Sequence, residues 1–282
     1  MDVIFETILQ GLDHPEGVAW GPDGRVYAGG EAGQVYAGRS GGEPETIAST
    51  GGFMYGIALD FDGNVYACDY GNAEIARVQQ SGSWSSYSHG TAERPLRVPN
   101  ACAFDDHGNL YVTDSGEWGN DDGLVYLVRP GGLTEVWTDA VPRFPNGCCL
   151  TADGEALLVI ESRGRAVMRV SIGADGAAGA PVLVADLTGS QPDGIALAAD
   201  GTMFVGCYRP DRIWRIPPGG EPEVLAEDPD GVILNQPANV AFIGDGLDRL
   251  AVSSLGGWSL VAADVGVAGL PLRLPRPDPG VG

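Results

Sequence analysis

Short apolar runs recur along the chain at a nearly constant interval, and each run is followed by a polar turn. In every copy a lead residue comes directly before the run, and the turn lies seven positions after the lead. The successive copies are 39, 45, 46, 47 and 45 residues apart. A period near 45 with short strands and one glycine turn per unit is typical of a propeller blade. The pattern therefore predicts an all-β fold, a six-bladed β-propeller. The six lead residues are Glu16, Tyr55, Asn100, Asn146, Asp193 and Ala238.

Each copy predicts an inner strand, a tight hairpin and a second strand, and several copies also show a third strand. The inner strands are uninterrupted apolar runs, as expected when neighbouring blades cover both faces. Asp-Gly supplies the positive φ values that a tight hairpin needs. The segment Asp2–Gln10 precedes the first blade and is expected to pair with the last blade, which would close the ring and cover edge strands. Residues 1–270 are predicted to form one propeller domain, followed by an irregular, Pro-rich tail over residues 271–282.

Four of the six lead residues carry a side-chain oxygen that could bind a metal ion. Equivalent positions in a ring of blades are related by rotation, so these side chains are expected to meet at the mouth of the central channel. Two carboxylates and two amides without a nearby Lys or Arg favour a hard divalent cation, Ca²⁺ first, with Mg²⁺, Mn²⁺ or Zn²⁺ as alternatives. The simpler interpretation is that these are turn residues, because Asn and Asp favour loops. The predicted ligands are Glu16, Asn100, Asn146 and Asp193.

The net charge of −22 argues against nucleic acid and anionic membranes as partners, since both select basic patches. All 16 basic residues are arginine, which excludes Schiff-base chemistry and a Walker-type phosphate loop. No apolar run approaches the roughly 20 residues of a membrane span. Without the features of a signal peptide at the start, the expected location is cytoplasmic. We expect a small-molecule substrate and a monomer or weak homo-oligomer.

The cysteines and histidines offer no obvious catalytic pair. The five cysteines lack zinc-site spacing, and Cys102 and Cys148 occupy a strand column that holds valine or isoleucine elsewhere, which predicts a place in the core. His14 is the only histidine near the predicted mouth, where a minor role stays open. Around the mouth, Arg97 could hold a polar or anionic substrate by paired hydrogen bonds. A purely surface role is the alternative for it. Tyr55, Trp118 and Tyr208 could wall the mouth or pack in the core.

The motifs Pro15-Glu16-Gly17, Pro145-Asn146-Gly147 and Pro192-Asp193-Gly194, each ahead of an apolar strand and a turn, resemble the SMP-30/gluconolactonase/LRE family. The resemblance covers essentially the whole chain and implies a six-bladed propeller with Glu16, Asn146 and Asp193 as metal ligands. It also implies that Asn100 touches metal or substrate. Arg97 loosely matches a substrate-contacting arginine of the family, and Glu117 matches a rim glutamate. The ligand set is also similar to that of diisopropyl-fluorophosphatase, and some blades resemble strictosidine synthase.

The resemblance and the predicted metal site together favour a metal-dependent lactonase that opens a sugar or other small lactone. Asp193 is the predicted general base, because a carboxylate beside the metal can take a proton from water. Asn100, Arg97, Glu117 and Tyr55 are the predicted substrate-binding residues. Two alternatives stay open: an organophosphate or ester hydrolase with the same metal, and a non-hydrolytic propeller whose metal is structural.

Overall fold

The fold, described for residues 3–276 in a computed structural model, is a ring of six four-stranded sheets, and these residues contain no helix. The first three blades contain β2 (Val18–Trp20), β3 (Val26–Gly29), β4 (Gln34–Gly38) and β5 (Glu45–Ser49); β6 (Met54–Leu59), β7 (Val65–Asp69), β8 (Glu74–Val78) and β9 (Trp84–Ser88); and β10 (Pro99–Phe104), β11 (Leu110–Asp114), β12 (Leu124–Val128) and β13 (Thr134–Thr138). The next two contain β14 (Pro145–Leu150), β15 (Ala156–Glu161), β16 (Ala166–Ser171) and β17 (Val182–Asp186); and β18 (Gln191–Leu197), β19 (Met203–Arg209), β20 (Asp211–Ile216) and β21 (Glu223–Glu227). The sixth blade contains β22 (Pro237–Ile243), β23 (Arg249–Ser254), β24 (Ser259–Asp264) and, from the start of the chain, β1 (Glu6–Gln10). The predicted six-bladed β-propeller is confirmed.

The ring is closed by the N-terminal strand, as the sequence predicts. Strand β1 pairs antiparallel with β24 and becomes the outermost strand of the sixth blade, so the first and last parts of the chain share one sheet. Each inner strand also packs against the inner strands on both sides, including β2 against β22. Asp2, at the start of the predicted segment, and residues 277–282 of the predicted tail lie outside the described residues.

The core consists of six apolar clusters, one between each pair of neighbouring blades. Aromatic rings cross these boundaries. Tyr66 of the second blade meets Phe104 of the third edge to face, with ring centroids 4.9 Å apart, and Phe204 of the fifth meets Phe242 of the sixth at 5.6 Å. Each fully buried side chain of this size contributes roughly 1.5–3 kcal/mol to folding. Residues 3–276 contain no helix of the length and apolarity needed to cross a membrane.

The hairpin turns differ in detail from the prediction. In five blades the loop holds a single residue with positive φ, the glycine of the Asp-Gly or His-Gly pair, as at Gly24 (73°) and Gly63 (77°). In the sixth blade the positive φ angles fall instead on Gly244 (91°) and Leu247 (49°), because β22 runs on to Ile243 and the turn follows it. Asp245-Gly246 is therefore not the equivalent turn that the spacing predicts.

The topology divides the loops between two ends of the channel. The loops between second and third strands, and the connections from one blade to the next, lie at the end where the inner strands begin; we call this the entrance. The hairpins between first and second strands lie at the opposite end, the far end. Between the two ends the channel encloses about 240 Å³. Its wall includes a column of small residues three positions after each lead: Ala19, Ala58, Ala103, Cys149, Ala196 and Ala241. One face of each inner strand therefore meets the channel, whereas the apolar runs suggested that neighbouring blades cover both faces.

The far end of the channel is covered by an irregular segment, residues 265–276, which we call the closing segment. Leu270, Leu272 and Leu274 line the channel from this side. The backbone amide of Leu270 donates to Leu197 O at 3.1 Å, and Pro275 O accepts from the amide of Phe61 at 2.9 Å. The segment thus spans from the fifth blade to the second.

Candidate functional site at the channel entrance

The lead residues are set apart from the regular strand pairing by a β-bulge. In the third blade Pro99 pairs with Asp114 and Cys102 with Val112, so three steps along β10 match two along β11. The inner strands of the second, fourth, fifth and sixth blades have the same extra residue at the same place. A bulge turns the side chain of the extra residue away from the ladder and is frequent beside functional sites. In these five blades it turns the lead side chain out of the strand ladder.

Neighbouring lead segments touch, so the lead residues form a closed ring. A Cβ added at Gly147 would lie 2.5 Å from Asp193 O, which shows how closely the fourth and fifth blades approach. Thr113 links the third blade to the fourth: its hydroxyl accepts from Ala101 N at 2.9 Å and donates to Asn146 O at 2.8 Å. Ser253 has the same role between the sixth blade and the first, where it donates to Glu16 O. The rotational equivalence predicted from the repeat is thus present in the contacts.

The four lead side chains with a carboxylate or amide group are all buried, at 2–4% exposure. Three of them have a buried oxygen without a hydrogen-bond partner: Oδ1 of Asn100, Oδ1 of Asn146 and Oδ1 of Asp193. The amide nitrogens of the two asparagines are occupied, since Asn100 Nδ2 donates to Ser115 Oγ at 3.0 Å and Asn146 Nδ2 to Ser162 Oγ at 3.1 Å. Each serine therefore fixes the orientation of one asparagine side chain, whose amide nitrogen is hydrogen-bonded and whose amide oxygen has no partner.

Two of the buried side chains are carboxylates that affect each other. Burial raises the pKa of Glu16 well above its ordinary value, and the nearby Asp193 carboxylate raises it further. Burial likewise raises the pKa of Asp193 to about 7, with the Asn146 side chain opposing the shift. Two like charges in a buried ring are unfavourable unless a cation neutralises them.

The ring fits a hard divalent cation. Buried oxygens without partners normally cost free energy, and so need a partner of some kind. The donor atoms are all oxygens, the ligand type preferred by Ca²⁺, and the two carboxylates match its charge. Four protein oxygens are fewer than the six to eight that Ca²⁺ takes, which would leave positions for water or a substrate oxygen.

A second set of buried carboxylates holds the segments that lead into the ring. Asp69 accepts from Phe53 N at 3.1 Å, Asp114 from Arg97 N at 2.6 Å, and Glu161 from Arg143 N at 2.9 Å. Each lies 14 or 15 residues after a lead residue, at the end of the second strand of its blade. These acids fix the backbone just before the lead residues of the second, third and fourth blades.

Arg97 and Glu117, two predicted substrate-binding residues of the third blade, both form hydrogen bonds with residues of the loop between β11 and β12. Arg97 Nη1 donates to Asp122 Oδ2 at 2.9 Å and Nη2 to Asp122 O at 3.1 Å. The carboxylate of Glu117 accepts from Asn120 Nδ2 at 2.8 Å. Both residues border the entrance, and their substrate contacts stay predictions. Arg143, the second arginine before a ring asparagine, forms two hydrogen bonds to Glu161 Oε2, at 3.1 and 2.8 Å.

Tyr55 brings an aromatic side chain into the ring. Burial raises the pKa of its hydroxyl, and the carboxylates of Glu16 and Asp193 raise it further, so the hydroxyl stays protonated beside the two acids. Tyr208 lies on the opposite side, and burial with the nearby Asp193 raises its pKa to about 12. The hydroxyl groups of both tyrosines therefore lie close enough to the ring carboxylates for these charges to raise their pKa.

His14 takes part in the rim rather than in the ring. Its Nδ1 lies 3.1 Å from Asp13 Oδ1 and 3.0 Å from Glu31 Oε2, and its ring packs 4.8 Å from that of Trp258. The three side chains are partly exposed, and one nitrogen of His14 lies close to both carboxylates. Cys102 and Cys148 are buried in the core, as predicted.

Three contributors to the site were not predicted from the sequence. Ser115 and Ser162 each follow the acid that ends a second strand, in Asp114-Ser115 and Glu161-Ser162, and this parallel between two blades is a signal that could have identified them. Asn239, one position after the sixth lead, has a buried Nδ2 without a partner and lines the channel next to Gly194. It is the one polar residue in a column otherwise made of glycine and alanine.

Comparison with known proteins agrees with the architecture. Residues 31–256 match the family model described as SMP-30/Gluconolactonase/LRE-like region, and residues 6–43 match the N-terminal model of strictosidine synthase-like proteins. No curated protein matches the sequence. A gluconolactonase from Xanthomonas campestris shares 19% identity over 93% of this chain and 89% of that chain, with a TM-score of 0.79. A luciferin-regenerating enzyme shares 20% over 96% and 100%, with a TM-score of 0.77. The calcium-binding protein regucalcin from Agrobacterium tumefaciens shares 18% over 97% and 98%, with a TM-score of 0.75. Identities this low establish a shared fold alone.

Proposed function

Because the chain belongs to the SMP-30/gluconolactonase/LRE-like family, we propose that it is a metal-dependent hydrolase that opens a small lactone ring. The observation that supports this most directly is the set of three partnerless, buried oxygens from three different blades, on Asn100, Asn146 and Asp193. Together with Glu16 they would hold one divalent cation, with Ca²⁺ favoured by the all-oxygen donor set. A relative of the same fold is described as calcium-binding, in line with this proposal.

A cation bound there would polarise the lactone carbonyl and lower the pKa of a water. The chain's own residues then have separate roles. Glu16 and Asn146 fix the position of the site, and Asn100 and Tyr55 border the space left for the substrate. Arg97 forms an ion pair with Asp122 and keeps further N–H donors that could contact a substrate.

Asp193 is the proposed general base. Its Oδ1 is buried and unpartnered, and a carboxylate beside the metal can take a proton from water. It would accept a proton from the attacking water as the water oxygen bonds to the carbonyl carbon. The ring C–O bond then breaks, and the departing alkoxide takes up that proton, which gives a hydroxy acid.

The test is a panel of lactones assayed before and after the protein is stripped with a chelator. We expect hydrolysis to disappear on stripping and to return when Ca²⁺ is added, and we expect Asp193→Asn to lose it. The matched control is Asp245→Asn, the same change at an exposed position of the far end, which should leave the rate unaltered. Undiminished hydrolysis after complete removal of metal would contradict the proposal. Tight Ca²⁺ binding without hydrolysis of any lactone would point instead to a structural metal.

A further inference from the structure

The entrance above the ring presents two groups of aromatic side chains. One group belongs to the second blade and consists of Phe53, Tyr55 and Tyr70; we call it the tyrosine cluster. The other joins the third and fourth blades through Trp118 and Phe144; we call it the tryptophan pair. Asn100 is the lead residue of the third blade, which carries Trp118, and its strand β10 packs against β6 of the second blade and β14 of the fourth.

The tyrosine cluster runs from the ring out to solvent. Tyr55 and Tyr70 are stacked with their centroids 5.0 Å apart and their planes 13° apart. Phe53 packs edge to face against Tyr55 at 4.8 Å. Tyr55 interacts with both ring carboxylates, whereas Tyr70 is 40% exposed. The cluster therefore forms a continuous apolar wall from the ring to the surface.

The tryptophan pair forms a second wall. Trp118 meets Phe144 edge to face at 4.8 Å, and Trp118 is 42% exposed. Phe144 has a φ of 61°, which a bulky residue rarely adopts, and it comes two residues before Asn146. His14 (44°) and Gln236 (50°), which come two residues before the leads of the first and sixth blades, also have positive φ, so this backbone conformation recurs around the ring and is not specific to Phe144.

The polar groups beside the tryptophan pair are satisfied by one another. In the loop that carries Trp118, Glu117 accepts from Asn120, and Asp122 accepts from the amide of Glu117 and from Arg97. Arg163 pairs with Asp121 of the same loop. The loop therefore offers an aromatic ring to a ligand and leaves few free hydrogen-bonding groups for a polyhydroxylated one.

The charge of the entrance disfavours an anionic ligand. Arg97 and Arg143, the arginines nearest to the ring asparagines in sequence, are each bound by a carboxylate, and in the proposed function the cation neutralises the charges of Glu16 and Asp193. Whole-chain charge is −22 and acts in the same direction. A neutral substrate is compatible with this field, and the carboxylate product of its hydrolysis would be repelled from the protein.

We propose that the substrate is a neutral lactone bearing an aromatic or alkyl group, and that this group lies between the tyrosine cluster and the tryptophan pair. The inference rests on the proposed function and narrows its substrate class. A sugar lactone would bring several hydroxyl groups against the faces of these rings, where a hydroxyl left without a partner loses its hydrogen bonds to water. An aryl or alkyl group gains contact area with flat rings instead.

The experiment compares dihydrocoumarin, a neutral aryl lactone, with glucono-δ-lactone, in the presence of Ca²⁺ and with the spontaneous rates subtracted. We expect kcat/KM to be at least tenfold higher for dihydrocoumarin. Trp118→Ala should raise KM for dihydrocoumarin about tenfold with little change in kcat, because it removes a contact made equally in ground and transition states. Tyr70→Ala, on the opposite wall, should act in the same way.

The control is Trp84→Ala. Trp84 is as exposed as Trp118, at 41%, but lies on β9, the outermost strand of the second blade. It should leave both substrates unaffected. A separate measurement uses 3,4-dihydroquinolin-2-one, the lactam analogue of dihydrocoumarin, whose binding is followed by calorimetry. We expect Trp118→Ala to weaken this binding about tenfold and Trp84→Ala to leave it unchanged.

The two proposals fail in different ways. A preference for glucono-δ-lactone, or a KM for dihydrocoumarin that does not respond to Trp118→Ala, would overturn the substrate class and leave the lactonase proposal standing. Hydrolysis of neither lactone by the Ca²⁺-loaded protein would overturn the lactonase proposal. In that case weaker lactam binding by Trp118→Ala alone would still support an aromatic ligand between the two walls.

Discussion

The two ends of the channel are built from the same six inner strands but use the repeat differently. At the far end five of the six blades have the same hairpin turn, with one glycine at positive φ. The closing segment covers the opening at this end. At the entrance the six equivalent lead positions hold one glutamate, one tyrosine, two asparagines, one aspartate and one alanine. Several of the buried oxygens there have no partner within residues 3–276.

This difference separates positions that the fold needs from positions that it leaves free. A hairpin of given length demands a particular backbone angle, so the turn residue is repeated from blade to blade. A lead residue in a bulge has no ladder partner and no turn to satisfy, so folding alone does not select it. Variation among geometrically equivalent positions is thus the more informative signal about function.

The largest expected effect comes from Glu16→Gln at the entrance. Removing one of two ring carboxylates should weaken Ca²⁺ binding and hydrolysis by more than the roughly 10- to 100-fold that loss of an outer-shell partner costs. The metal-free variant should nevertheless be more stable than the metal-free parent, by about 1–3 kcal/mol, because a buried like-charge pair is relieved. Calorimetric titration with Ca²⁺ and denaturant unfolding in chelator measure the two effects.

The control for Glu16→Gln is Glu31→Gln on the rim, where the carboxylate is 54% exposed. This variant should retain Ca²⁺ affinity and activity within about twofold, since exposed charges contribute little. If the metal-free Glu16→Gln protein were less stable than its parent, Glu16 would be a structural residue. The contrast between the two ends of the channel would then lose its functional meaning.

The repeat made the six blades and the ring predictable, because the lead residues, inner strands and turns recur in the sequence itself. The fourth strand of each blade was not recognised. In β17 the pattern of exposure leaves one residue buried among four exposed ones, so hydrophobic alternation gives little information about the position of such an outer strand. Only the N-terminal strand β1 was identified as an outer strand, and that followed from the requirement to close the ring.

The closing segment and the supporting serines could not be predicted for a different reason. Contacts such as Leu270 to Leu197, or Ser162 to Pro192, join positions without any shared sequence pattern. The pairing of Arg97 with Asp122 is likewise a property of one loop in one blade. What repeats can be predicted from a single sequence, whereas what occurs once depends on tertiary structure.

A smaller effect is expected from Ser162→Ala, which keeps the ring residues and removes the group that orients one of them. Ser162 Oγ accepts from Asn146 Nδ2 and donates to Pro192 O at 2.6 Å, so its loss frees the amide to rotate and weakens a link between two blades. We expect a fall in Ca²⁺ affinity of about 10- to 100-fold. The free energy of unfolding without metal should fall by about 1–2 kcal/mol. Calorimetry and denaturant titration measure these changes.

The matched control is Ser190→Ala. Ser190 is also buried and also donates to a backbone carbonyl, Leu187 O at 2.7 Å, but it contacts no ring residue among the hydrogen bonds of residues 3–276. It should lower stability by a similar amount and leave Ca²⁺ affinity unchanged. Equal losses of affinity in both variants would mean that general loosening, and not amide orientation, governs the site.

The smallest expected effect is at the far end, from Arg273→Ala in the closing segment. Arg273 Nη2 donates to Thr151 O at 3.0 Å and to Ala152 O at 3.1 Å, and the guanidinium also pairs with Asp106. The two hydrogen bonds to backbone should account for a loss of about 1–2 kcal/mol in the free energy of unfolding. Asp106→Asn removes only the ion pair, whose acid is 70% exposed, and should cost less than about 0.5 kcal/mol. Neither variant should change Ca²⁺ affinity or kcat/KM, because the closing segment lies at the opposite end of the channel from the ring. A loss of affinity in Arg273→Ala would show that the two ends are coupled through the channel, and the far end could then no longer be treated as purely structural.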